Sequence, residues 1–155
     1  MIELSSSDQP VDIPADAYVL LVEDDPDDIH VIKRVLKRAP LSITVETCAH
    51  GREALDLLDM ELEKDNRKIP DLILLDLNMP VMDGNAFLRA VREKTGLSAI
   101  PICVFTTSTD EDIIRRAYND GANAVVSKVD SLDGMSQILN TIIDFWFRTA
   151  NRYYV

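Results

Sequence analysis

Five side chains carry the chemistry this sequence can offer, and each stands at the end of an apolar run. Asp76 ends Leu72–Leu75, a continuous apolar run of the kind buried on both faces of a parallel sheet. Glu23 and Asp24 follow the run at 18–22, Thr106 follows 102–105, and Lys128 stands just past 124–126. Three carboxylates drawn together repel one another, and a divalent cation removes that penalty. Hard oxygen donors with no soft ligand select magnesium, with manganese the alternative. With the charge screened by a cation and by Lys128, Asp76 can attack phosphorus and form an acyl phosphate, while Thr106 donates to a phosphoryl oxygen. Lys128 is expected to pair with Asp76 at rest. Each feature alone has an ordinary reading, as a helix start, a cap or a solvated charge. Their conjunction, each at its own strand end, is what points to a site.

The elements that position these residues follow from periodicity. Strands are expected at 18–22, 43–48, 72–75, 102–105 and 124–126, alternating with five helices. Pro26 suits a first helical turn, and Asp27 and Asp28 favour its positive end. Ile29, Ile32, Val35 and Leu36 form that helix's inward stripe. Ala54, Leu55, Leu58 and Leu62 mark the second helix, and Phe87, Leu88 and Val91 the third. The fourth, at 110–119, has Ile114, Ala117 and Tyr118 inward and Gly121 as its C-terminal cap. Ser131 or Asp133 caps the last helix, at about 133–147. This is an α/β chain around a parallel sheet, and parallel strands bring their C-terminal ends to one edge, where such sheets bind ligands.

Composition narrows the function classes. The chain has 155 residues, a net charge of −11 and a pI near 4.5, which argues against nucleic acid and anionic membrane as direct partners. Cys48 and Cys103 lie in strand-like apolar runs and read as buried, inert thiols. No charged n-region precedes an apolar segment, so a cytoplasmic protein is expected. A single domain is expected at 17–147, with a flexible N-terminal arm at 1–16 and a C-terminal arm at 148–155.

With these residues in place, the sequence resembles a response-regulator receiver domain of two-component signalling. Glu23 and Asp24 match the family's acidic pair, and Asp76 matches its phosphoacceptor. Asn78 matches the residue whose main-chain carbonyl completes the metal shell. Met79-Pro80 and Asp83-Gly84 match the M-P-x-M-D-G turn, Thr106 the switch hydroxyl and Lys128 the family's lysine. The resemblance implies a flavodoxin-like, doubly wound sheet of order 2-1-3-4-5 with helices on both faces. It also implies Mg2+ (or Mn2+) held by Glu23, Asp24, Asp76 and Asn78. The runs V-E-D-D-P-x-D, L-L-D-L-N-M-P and T-T-S and the C-terminal F-W-F are most similar to single-domain regulators of bacterial phytochrome histidine kinases. Two positions depart from the family: Val129 stands where proline usually follows the lysine, and Val125 where an aromatic ring usually swings.

The implied function is a phosphoacceptor switch that takes a phosphoryl group from a kinase phosphohistidine onto Asp76, not an enzyme acting on an outside substrate. The alternative is a receiver-like module that binds partners without phosphorylation. An aspartyl phosphatase of the haloacid-dehalogenase type would need a second Asp where Asn78 stands, and no G-x-G-x-x-G supports dinucleotide binding. On the last helix Met135, Ile138, Leu139, Ile142 and Trp146 form one core stripe, with Ile143, Phe145 and Phe147 on its flanks. That wide apolar arc, followed by Tyr153 and Tyr154, points to a homodimer through the last helix and the C-terminal arm. Only eight residues follow Phe147, so the output is expected to be a protein contact.

Overall fold

Apolar runs without polar alternation can be satisfied only by strands covered on both sides, and that is how they are used. The computed structural model describes residues 17–151. Strands β1 (Ala17–Val22), β2 (Ile43–Cys48), β3 (Leu72–Leu75), β4 (Ile102–Thr106) and β5 (Ala124–Ser127) alternate with five helices. These are α1 (Pro26–Lys37), α2 (Gly51–Leu62), α3 (Gly84–Glu93), α4 (Glu111–Asp120) and α5 (Leu132–Ile143). The strands pair in parallel in the order β2-β1-β3-β4-β5. This is the flavodoxin-like order that the family resemblance implies.

Side chains alternate across a strand, so the same runs feed two cores. Leu20, Val22, Ile73, Leu75, Ile102 and Val104 face the side covered by Leu55, Leu58, Phe87 and Leu88 of α2 and α3. Val19, Leu21, Leu72, Leu74, Cys103 and Phe105 face Ile32, Leu36, Leu139 and Ile143 of α1 and α5. The helices begin where side-chain oxygens can satisfy their free N–H groups. Asp25 caps α1, Asp83 caps α3, Asp110 caps α4 and Ser131, not Asp133, caps α5. Gly121, at φ 119°, closes α4 as expected.

Two expectations about the helices are corrected. Tyr118 does not face inward but is 48% exposed, and its hydroxyl accepts a hydrogen bond from the Val125 N–H at 3.1 Å. Beside the edge strand β5, whose residues are only half-buried, there is no deep core for a ring, and the polar tip satisfies an edge N–H instead. The last helix also does not run as one α-helix to residue 147. After Ile143 it continues as a π-helical segment, Asp144–Thr149. The wider i→i+5 spacing shifts the inward register by one residue. Phe147, at 8% exposed, therefore joins Ile142 and Ile143 in the core. Trp146 is only partly buried and packs edge-on against the exposed Phe145. The arm expected at 1–16, and Tyr153 and Tyr154 of the arm expected at 148–155, lie outside the described residues. No helix among the described residues is long and apolar enough to cross a membrane.

Candidate functional site

The sheet ladder itself fixes the backbone of the two buried acids. Glu23 N–H donates to the Cys48 carbonyl at 3.0 Å, and Asp76 N–H donates to the Val22 carbonyl at 3.0 Å. Each acid is thus the first residue past its strand while its amide is still paired. After Asp76 the chain turns sharply into α3. Met82 N–H donates to the Pro80 carbonyl at 2.8 Å, and Val81 between them has φ 68°, the conformation of a γ-turn. A β-branched residue pays strain there, and the Val81 side chain is 80% exposed. Gly84 opens α3 against the strand end, where a Cβ would stand 2.6 Å from the Asp76 carbonyl oxygen.

The three predicted acids come together. Glu23, Asp24 and Asp76 each place one carboxylate oxygen within 4.8 Å of the others. Glu23 and Asp76 are buried, and Asp24 is exposed. Burial pushes the Glu23 carboxyl up to about 7, against the hydrogen bond from Lys128 and with the nearby Asp76 charge adding to the rise. Burial also raises Asp76, against the pull of Lys128 and the Asn78 N–H, which lies 3.4 Å from Asp76 Oδ1. An all-oxygen cluster containing a buried, reluctantly ionised carboxylate fits a hard divalent cation.

Thr106 is fully buried at the end of β4 and Lys128 stands just beyond β5. Their backbones are joined, Lys128 N–H donating to the Thr106 carbonyl at 2.7 Å, and Thr106 Oγ1 accepts from the Ser108 N–H at 3.3 Å. The expected pairing of Lys128 with Asp76 is present as an ion pair, and two shorter partners join it. Its Nζ donates to Glu23 Oε2 at 2.7 Å and to Asp28 Oδ2 at 2.8 Å, while Asp76 Oδ2 is an ion-pair partner at 3.8 Å, beyond hydrogen-bond reach. Burial on its own would lower the lysine, but Asp28 and Glu23, with Asp76, outweigh it and raise its pKa. Asp28 is the residue that the sequence reading missed as part of the site. Its charge is explained equally well by the helix dipole, and the available signal was its place in the first turn after the Glu23-Asp24 strand end. Val125 is half-buried, Val129 is exposed, and no cis peptide occurs among the described residues.

Comparison with known proteins agrees with this geometry. A family model described as response regulator receiver domain matches residues 19–140. The chain is 33% identical over 132 residues to response regulator Rcp1 of Synechocystis, covering 85% of this chain and 90% of Rcp1. It is 34% identical over 128 residues to the probable methanogenesis regulatory protein FilR2 of Methanothrix harundinacea, covering 83% of this chain and 82% of FilR2. The crystal structure of the phosphorylated cyanobacterial phytochrome response regulator RcpA aligns with TM-score 0.84 and 36% identity, over 90% of this chain and all of that one. A Mn2+-bound form of Rcp1 aligns with TM-score 0.80 and 31% identity, over 89% of this chain and 99% of that one.

Proposed function

This chain belongs to the response-regulator receiver family, and from that premise we propose that it is a phosphoacceptor switch working through Asp76. The observation that carries the reading is the meeting at one sheet edge of Glu23, Asp24 and Asp76 with the buried Lys128 and Thr106. An Asp76 oxygen attacks the phosphorus of a kinase phosphohistidine. The P–N bond breaks, its electron pair returns to the imidazole nitrogen, and the ring leaves neutral with its other nitrogen still protonated. Lys128 and the Thr106 hydroxyl stand where they can donate to oxygens of the transferred group. Water later attacks phosphorus, breaks the P–O bond to Asp76 and releases inorganic phosphate.

Glu23, Asp24, Asp76 and the main-chain carbonyl of Asn78 would hold Mg2+, or the Mn2+ that Rcp1 binds in its structure. When bound, such an ion neutralises charge gathering on the phosphoryl oxygens. The test is intact mass after incubation with acetyl phosphate and Mg2+, beside Asp76→Asn. Wild type gains one phosphoryl group and the variant none; absence of any gain on wild type sinks the reading. A receiver-like module that binds partners without phosphorylation draws support from Val125, which has no ring to report a change at Thr106. The same mass measurement separates the two.

The likeness to Rcp1 and RcpA supports a histidine kinase donor of the bacterial phytochrome type, and a cytoplasmic location goes with it. The output is a protein contact. A homodimer through the last helix and C-terminal arm is supported by Phe145, half-exposed beside the partly buried Trp146. In sedimentation the full chain is expected to run as a dimer, and a chain ending at Phe147 is expected to dimerise more weakly. Equal dimerisation of the two would remove the arm from the interface.

A further inference from the structure

We propose that Asp28 is a positioning residue, a latch that holds the Lys128 ammonium away from Asp76 until a phosphoryl group arrives. The proposal rests on the phosphoacceptor reading of Asp76. An ammonium has three N–H donors. Two of those of Lys128 are committed to carboxylates at 2.7 and 2.8 Å, in the range of strong charge-assisted bonds. The Asp76 oxygen, at 3.8 Å, is left outside hydrogen-bond range. The lysine side chain is 6% exposed, so water does not readily replace either partner.

The two carboxylates are not equivalent. Glu23 belongs to the acidic cluster that faces the cation, whereas Asp28 lies outside it on the first turn of α1. Asp25 caps the start of α1 and Pro26 and Asp27 occupy its first turn, so the helix keeps those start signals without the Asp28 charge. What the Asp28 carboxylate holds is Lys128 Nζ. A phosphoryl group on Asp76 would bring about two negative charges and three acceptor oxygens. The ammonium already stands about 1 Å beyond bonding distance from the Asp76 carboxylate that would carry the group. Asp28 is thus the partner that Lys128 gives up, and the strength of that bond sets how readily the lysine engages.

Asp28→Asn removes the charge at constant size, and Asp28→Glu restores it. With acetyl phosphate and Mg2+, Asp28→Asn is expected to raise the rate of phosphoryl uptake on the order of tenfold. Asp28→Glu is expected to stay near wild type. In a Lys128→Gln background, Asp28→Asn is expected to change nothing. An unchanged or slower rate in Asp28→Asn, or an equal acceleration without Lys128, overturns the latch. A second readout needs no phosphoryl chemistry: 1H–15N spectra of the metal-free protein should show a slowly exchanging Lys128 ammonium that is lost or shifted in Asp28→Asn. If wild type takes up no phosphoryl group, the parent reading falls and this spectrum alone decides whether Asp28 holds the lysine. An unchanged signal overturns it.

Discussion

Lys128 Nζ and Glu23 Oε2 meet at 2.7 Å, joining the end of β5 to the end of β1 across the two strands between them. Both side chains are nearly sealed from water, and burial still outweighs the lysine in setting the Glu23 carboxyl. That balance gives the site a pH dependence near neutrality.

In the metal-free protein the Glu23 carboxyl rises from an ordinary 4.5 to about 7. A raised carboxyl favours the fold while protonated. Its contribution is full below 4.5 and is lost as pH rises through about 7. A cation needs the ionised form, so its binding releases protons and tightens with rising pH. Calorimetric titration with Mg2+ should show affinity increasing from pH 6 to pH 8 and then levelling. Glu23→Gln should bind more weakly and lose most of that dependence.

Gly84 allows α3 to start against the backbone of Asp76. Gly84→Ala would set a Cβ 2.6 Å from the Asp76 carbonyl oxygen and 2.7 Å from Leu77 Cα, neither of which is a flexible side-chain end. The turn must move, at a cost of about 1–3 kcal/mol. Urea unfolding should show that loss, and Mg2+ affinity should fall with it because one of the crowded atoms is the Asp76 carbonyl oxygen.

The π-helical segment assigns opposite roles to two phenylalanines. Phe147 is packed in the core with Ile142 and Ile143, and Phe145 is 51% exposed. Phe147→Ala should lower stability by about 3 kcal/mol. Phe145→Ala should change it by no more than about 0.5 kcal/mol. Chemical denaturation at a protein concentration where dimer and monomer do not exchange separates this from any interface effect. Equal losses at both positions would restore a continuous α-helix with Trp146 inward.

The strand ends were legible because an apolar run that stops at Asp76, or at Glu23, marks both the strand and its exit. Parallel pairing then puts those exits on one edge whatever the side chains do. The ion pair of Lys128 with Asp76 was legible, but its shorter bonds to Glu23 and Asp28 were not. Glu23, Asp28 and Asp76 are all acids within its reach, and the choice between 2.8 Å and 3.8 Å depends on where α1 sits over the strand end. Tyr118 illustrates another limit: helical spacing gives its direction but not the depth of what it meets, and β5 is too shallow a neighbour to bury a ring. Phe145-Trp146-Phe147 offers an aromatic side chain to the core in either register, so the pattern carries no sign of the π turn.

The parallel sheet also has a consequence for its other edge. Every residue assigned to the site lies at a strand end or, for Asp28, on the helical turn that follows one, while the connections at 38–42, 63–71, 94–101 and 121–123 lead into strands at the opposite rim. Among these, 63–71 is long and mostly exposed. Length and composition can drift there, or a foreign sequence be spliced in, without touching an atom of the acidic edge. The molecule is in this sense divided into a rim held to fixed geometry and a rim open to variation.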